Sequence, residues 1–166
     1  VELPADDTLR SCEKTGWAKA RPVDPDLEMV KRLYVDTSAY LCLLLGEKGH
    51  TDLQREMSGA QLLSSVVLVL ETDRNLVRLS REGLLSPADF QLCISVMEKH
   101  MEQFLLRDLT LDLCSSRIMP VVSTPRSLDL AHLRTALWFH EAERLNRFVT
   151  LDEAQQQAAR ELGLPV

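Results

Sequence analysis

A helix that crosses a bilayer needs about 20 consecutive apolar residues, and no run in this chain approaches that length. The N-terminus also lacks the positively charged, apolar pattern of a secretory signal. The expected protein is therefore soluble, cytoplasmic and free of membrane contact. Its four cysteines, Cys12, Cys42, Cys93 and Cys114, form no CxxC pair. That spacing argues against a zinc site or a disulfide framework, and the mostly apolar surroundings predict buried thiols. A basic excess is missing too, because the formal charge is -6. Non-specific nucleic-acid binders draw their affinity from a positive field on phosphates, so a nucleic-acid role here has to come from a local patch or a partner subunit. No internal repeat is visible.

What the chain does have is strands alternating with helices, and the stretch from Leu33 to Tyr40 anchors the pattern. Its apolar run is too short for a helix, Tyr34 and Val35 favour a strand, and Thr37 or Ser38 can cap a helix continued by Leu41 to Leu45. Asp36 then stands at the carboxyl edge of a buried strand. Ligands of open α/β sheets bind in the crevice beyond those edges, which places an Asp there for chemistry. It can equally serve only as a cap for the helix that follows.

Further on, the pattern predicts a helix near Thr51 to Met57 and a second strand around Gln61 to Ser64. Ser64 or Ser65 is a candidate cap for the next helix, whose apolar repeat runs through Val66, Val69, Leu70, Leu76, Val77 and Leu79 with Arg74, Arg78 and Arg81 on the wetter side. Glu71 lies in its second turn, either solvated or placed for a role. Ser86 and Pro87 open another helix, with Phe90, Cys93, Ile94 and Met97 as its core stripe. A third strand is expected at Phe104 to Leu106, a helix from Leu109 to Ile118, and a helix from Leu128 to about Phe139. A fourth strand follows at Arg147 to Thr150, then a helix from Glu153 to Leu162 stopped by Gly163, and a final edge strand over Leu164 to Val166. This order predicts an α/β fold with a mostly parallel sheet of four to five strands, covered on both faces.

Val1 to Glu28 differ from the rest in having few large apolar residues. Asp6 or Asp7 can cap a short helix through Thr8 to Thr15, with Gly16 as its stop, Trp17 as a lone anchor, and Pro22 and Pro25 forcing an extended path. Such an arm cannot fold alone. It is either disordered or laid across another surface, and the basic residues Lys14, Lys19 and Arg21 around Trp17 favour docking. Met29 opens the self-sufficient part. Val1, not being Met, predicts a processed or trimmed chain.

Asp36 and Asp152 follow predicted strands, while Glu71 and Asp129 lie in early turns of helices that leave the same sheet edge. Two carboxylates about 4 Å apart repel by roughly 4 kcal/mol at an effective dielectric of 20, so acids sharing one crevice call for a cation. All-oxygen ligands suit Mg²⁺ or Mn²⁺. Such ions support phosphodiester cleavage.

The segments Tyr34 to Ala39, Ser65 to Arg74 around Glu71, Leu128 to His132, and Phe148 to Asp152 closing with Glu161 to Val166 resemble the PIN-domain ribonucleases, in particular the VapC toxins of bacterial toxin–antitoxin pairs. The resemblance spans Met29 to Val166. It implies a PIN-like three-layer α/β/α sandwich and a Mg²⁺-dependent endoribonuclease acting on RNA, with Asp36, Glu71, Asp129 and Asp152 as the catalytic, metal-binding acids. Thr37, Ser38 and Thr150 would support them or bound phosphate. Leu151 departs from the family, which often has Asn or another small polar residue there. His132, three residues after Asp129, is read as a packing or supporting residue and not as a catalytic base. Residues 1–28 look like a VapB-type antitoxin tail fused to the toxin, which would wrap the domain in cis or from a dimer mate. Such a tail implies an Arg or Lys among the acids, with Arg10, Lys14, Lys19 and Arg21 as candidates beside the anchor Trp17. A guanidinium carries the charge the acids want, in a fixed fork of donors. A homodimer or higher homo-oligomer is expected from the same likeness. The alternative is a catalytically silent PIN-like regulatory module of a toxin–antitoxin complex.

Overall fold

The computed structural model describes residues 30–115, 122–123 and 126–166. The arm of residues 1–28, with Arg10, Lys14, Trp17, Lys19 and Arg21, lies outside them, as do Met29 and Cys12. In chain order the elements are β1 (Arg32–Val35), α1 (Thr37–Leu45), α2 (His50–Met57), β2 (Gln61–Ser65), α3 (Val67–Arg81), α4 (Pro87–Met101), β3 (Phe104–Arg107), α5 (Leu111–Ser115), α6 (Ser127–Ala142), β4 (Arg147–Val149) and α7 (Glu153–Glu161). The four strands are all parallel, in the order β3-β2-β1-β4.

Every residue of β1 is buried, as expected of a strand covered on both faces. Side chains alternate across the sheet, so Leu33 pairs with Leu62 and Leu62 with Phe104 on one face, while Tyr34 pairs with Leu63 and Phe148 on the other. The first row packs under α1 to α4 through residues such as Leu43, Leu44, Met57, Leu76 and Met97. The second packs under α6 and α7 through Leu133, Ala136, Phe139, Ala158 and Ala159. The result is the expected helix–sheet–helix sandwich.

Strand order decides where a ligand can enter. From β1 the chain winds outward through β2 to β3, then returns to place β4 on the opposite side of β1. The helices that leave β1 and β4 pack on opposite faces. Between those two strands lies a topological switch point, the place where open α/β sheets form their crevice. Asp36 and Thr150 each follow directly on one of these two strands.

Several local expectations need correction. Leu164 to Val166 form no strand; Phe148 N–H donates to Pro165 O, but Pro165 has no N–H with which to continue a ladder. Neither Thr37 nor Ser38 caps α1, because both hydroxyls are turned to carboxylates. The cap position of α3 is Val66; Ser65 Oγ only accepts from Val67 N–H at 3.3 Å, and Ser64 Oγ donates to Val35 O. The buried face of α3 is Val67, Leu68, Thr72, Leu76 and Leu79, leaving Leu70 65% exposed and Val66 and Val77 outside the core. Cys42 and Cys93 are buried thiols, but Cys114 is exposed on α5. The described part of that helix is Leu111–Ser115, and the rest of the expected span to Ile118 lies outside the described residues. No helix among the described residues is long and apolar enough to cross a membrane.

Candidate functional site

Asp36 holds the cap position of α1, yet its side chain makes no capping hydrogen bond. Its backbone N–H continues the β1–β4 ladder to Val149 O at 2.9 Å. The carboxylate, 8% exposed, accepts from Ser38 Oγ at 2.7 Å and from Thr150 Oγ1 at 2.8 Å, both on Oδ2. Proton directions follow from the neighbours. Leu151 N–H donates to Ser38 Oγ and Asp152 N–H to Thr150 Oγ1. Each hydroxyl thus accepts from backbone and sends its own proton to Asp36. Their mutual 3.2 Å separation reflects a shared target.

Glu71 is reached from two other elements. Its Oε2 accepts from Thr37 Oγ1 at 2.6 Å and faces His132 Nε2 at 3.1 Å. Burial raises the Glu71 carboxyl, but hydrogen bonds from His132 and Thr37, with the charges of His132 and Arg74, outweigh it and leave the group below its ordinary range. The same His132 nitrogen lies 3.8 Å from Asp36 Oδ1. On the far side of the ring, Nδ1 meets Tyr34 Oη at 2.8 Å. Burial, then the nearby charge of Asp36, push the Tyr34 phenol well above its usual range, so it stays a donor. A carboxylate can only accept, so Nε2 carries a proton that points to Glu71.

Asp129 and Asp152 are fixed at helix starts. Asp129 Oδ2 accepts from Arg126 N–H at 3.0 Å, and Asp152 Oδ1 caps α7 by accepting from the N–H groups of Ala154 and Gln155. Gln155 joins the two, since its Nε2 donates to Asp129 O at 3.2 Å. Burial raises the Asp129 carboxyl, against the Arg126 hydrogen bond, and the charges of Asp36, Asp152 and Glu71 raise it further. All four acids therefore share one electrostatic neighbourhood. Asp36, Asp129 and Asp152 also lie at helix N-termini, whose partial positive charge tempers the repulsion.

Sharing a field is not the same as touching. Among the described residues, no three His, Cys, Asp or Glu side chains stand close enough together to form a metal-holding group. The donors themselves suit a hard cation. Each of the four carboxylates has one oxygen anchored, while Asp36 Oδ1, Glu71 Oε1, Asp129 Oδ1 and Asp152 Oδ2 accept no hydrogen bond from a described residue. Oxygen donors and surplus negative charge are what Mg²⁺ and Mn²⁺ take.

Two contributors carry little local signal in the sequence. Tyr34 fits a strand former, and only the need of a buried Tyr for a hydroxyl partner hints at more. Gln155 stands three residues after the cap Asp152, the spacing of a capping box, but its amide reaches α6 and not back to its own helix start. No protein-family model matches this chain, and no curated protein matches it either.

Proposed function

We propose that this protein is a PIN-type, metal-dependent endoribonuclease of the VapC toxin class, restrained by its antitoxin-like segment of residues 1–28. The observation that carries the reading is Asp36: a buried carboxylate at the switch point of a parallel sheet, held by Ser38 and Thr150 instead of capping its helix. A residue serving the fold alone would use the free N–H groups of α1. Bound Mg²⁺ or Mn²⁺ would supply Lewis-acid charge for the phosphodiester and its attacking water.

In this reading each side chain has a defined task. Asp36, Glu71, Asp129 and Asp152 would hold the cation through their unanchored oxygens. Ser38 and Thr150 hold Asp36 in one rotamer, and Thr37 does the same for Glu71. A cation there would offset the repulsion from Asp36, Asp152 and Glu71 that, after burial, raises the Asp129 carboxyl. A basic side chain of the segment, from Arg10, Lys14, Lys19 or Arg21, competes for the same position, with Trp17 as its anchor. Covalent attachment makes that competition intramolecular, at millimolar-scale effective concentration for a tether that fits the span. The protein would work in the cytoplasm as a homodimer or higher homo-oligomer.

The test is cleavage of a structured RNA with Mg²⁺ or Mn²⁺ by the full chain and by the chain begun at Met29, each with an Asp36→Asn control. Activity in the shortened, unsubstituted protein alone is the expected result. Cleavage that survives Asp36→Asn would sink the assignment. A second reading, a silent PIN-like regulatory module, draws on the lack of an assembled three-ligand group among the described residues. Absence of cleavage in either form, with binding to a partner intact, would favour it.

A further inference from the structure

His132 is 1% exposed, and its ring touches three acid-bearing or acid-supporting groups at once. Nε2 lies 3.1 Å from Glu71 Oε2, 3.1 Å from Thr37 Oγ1 and 3.8 Å from Asp36 Oδ1, while Nδ1 is held by Tyr34 Oη at 2.8 Å. A buried imidazole needs partners for both nitrogens, and simple packing would be satisfied by any of them. Here the partners come from β1, α1 and α3, while His132 itself comes from α6, three residues after Asp129. Asp129 and His132 therefore lie on one face of that helix.

The chain of contacts also has a direction. Tyr34 belongs to the core row beneath α6 and is stacked on Phe148 with centroids 5.2 Å apart and planes 5° from parallel. Its hydroxyl cannot wander, so neither can the imidazole it holds. The opposite nitrogen presents one N–H to the gap between Glu71 and Asp36. Two carboxylates that repel each other thus share one donor anchored in the core.

We infer that His132, held by Tyr34, is a positioning residue that fixes Glu71 relative to Asp36 in the crevice where a divalent cation would bind. The inference rests on the proposed metal-dependent nuclease and adds a device to it. Partners that orient metal-ligating side chains commonly change metal affinity 10- to 100-fold when removed. His132→Phe keeps the ring volume and deletes both nitrogens. His132→Gln keeps a donor that can reach Glu71. Tyr34→Phe leaves the imidazole in place but frees its orientation.

The experiment is equilibrium Mn²⁺ binding, read by loss of the free-ion electron paramagnetic resonance signal, with thermal melts run alongside. It uses the full chain and the chain begun at Met29. In whichever form binds, His132→Phe should weaken Mn²⁺ by at least about tenfold and Tyr34→Phe by about threefold, with His132→Gln recovering to within about threefold of the unsubstituted protein. A purely structural role would lower the melting temperature without this rescue. Unchanged Mn²⁺ affinity in folded His132→Phe would overturn the inference and leave the nuclease reading standing. Should neither form of the unsubstituted protein bind Mn²⁺, the nuclease reading fails and the inference falls with it.

Discussion

Replacing Asp36 by Asn separates a catalytic carboxylate from a structural one. The substitution keeps shape and can keep both hydroxyl contacts, with the amide oxygen facing Ser38 and Thr150. It turns two charge-assisted hydrogen bonds into neutral ones, a loss of about 1 kcal/mol each. Against that, it removes an anion only 8% exposed and relieves its repulsion on Asp129. Desolvation and repulsion at such a site are of the same order as the loss. The net change in stability should then stay within about 2 kcal/mol, which for a domain of this size moves the melting temperature by only a few degrees. Asp129 should respond as well. Its carboxyl is raised first by burial, which remains, and then partly by Asp36, which does not, so its pKa should fall without reaching its ordinary value. Carboxyl-detected NMR titration, thermal melting and RNA cleavage together read the three consequences. Lost cleavage with a near-native melt and a lowered Asp129 pKa is the expected pattern. A melting temperature that drops by more than about 10 °C would refute the reasoning, because it would make Asp36 a structural anchor.

Two further predictions concern the fold that carries the site. His100 is buried near Tyr40, with Nδ1 3.3 Å from its hydroxyl, and burial, aided by the charge of Lys99, lowers it from 6.5 to about 4. Between these values the unfolded chain takes up a proton that the native state refuses, so stability present above pH 6.5 is lost as pH falls toward 4. The full difference is worth about 3 kcal/mol, and urea unfolding of the natural chain and of His100→Gln at pH 7.5 to 4 should diverge by up to that amount. Parallel pH profiles would show that His100 is not kept neutral. On α3, Leu76→Ala should cost about 2 to 5 kcal/mol and Leu70→Ala less than about 0.5, because Leu76 is fully buried and Leu70 is 65% exposed. Equal losses by chemical denaturation would restore Leu70 to the core.

Much of the scaffold was legible because its signals are local. The run Leu33 to Val35 is short, apolar and β-favouring; Ser86 and Pro87 stop one segment and start the next; Gly163 ends α7 with φ 74°. Such features act within a few residues, and all four strands fell where they predict. Failures came where local rules allow two outcomes. Thr37 and Ser38 can cap a helix or support a carboxylate, and only the approach of Glu71 and Thr150 decides between them. Leu70 and Leu68 are equally apolar, and the rotation of α3 against the sheet selects Leu68. Leu164 to Val166 have the composition of an edge strand but lack a second donor where Pro165 stands.

Taken alone, the residue order determined that strands would alternate with helices, that both faces of the sheet would be covered, and that Asp36 would emerge at a strand end. These follow from side-chain volume, backbone preference and period, properties each segment carries by itself. Only the tertiary structure decided that strand β4 returns beside β1 and so brings Thr150 to Asp36 across a sequence separation of 114 residues. It also decided that His132 spans from Tyr34 to Glu71 and that Gln155 ties Asp152 to Asp129. Hydrogen bonds between distant segments have no local signature. They depend on which strands are neighbours, and that order is set by how the whole chain buries its two apolar faces.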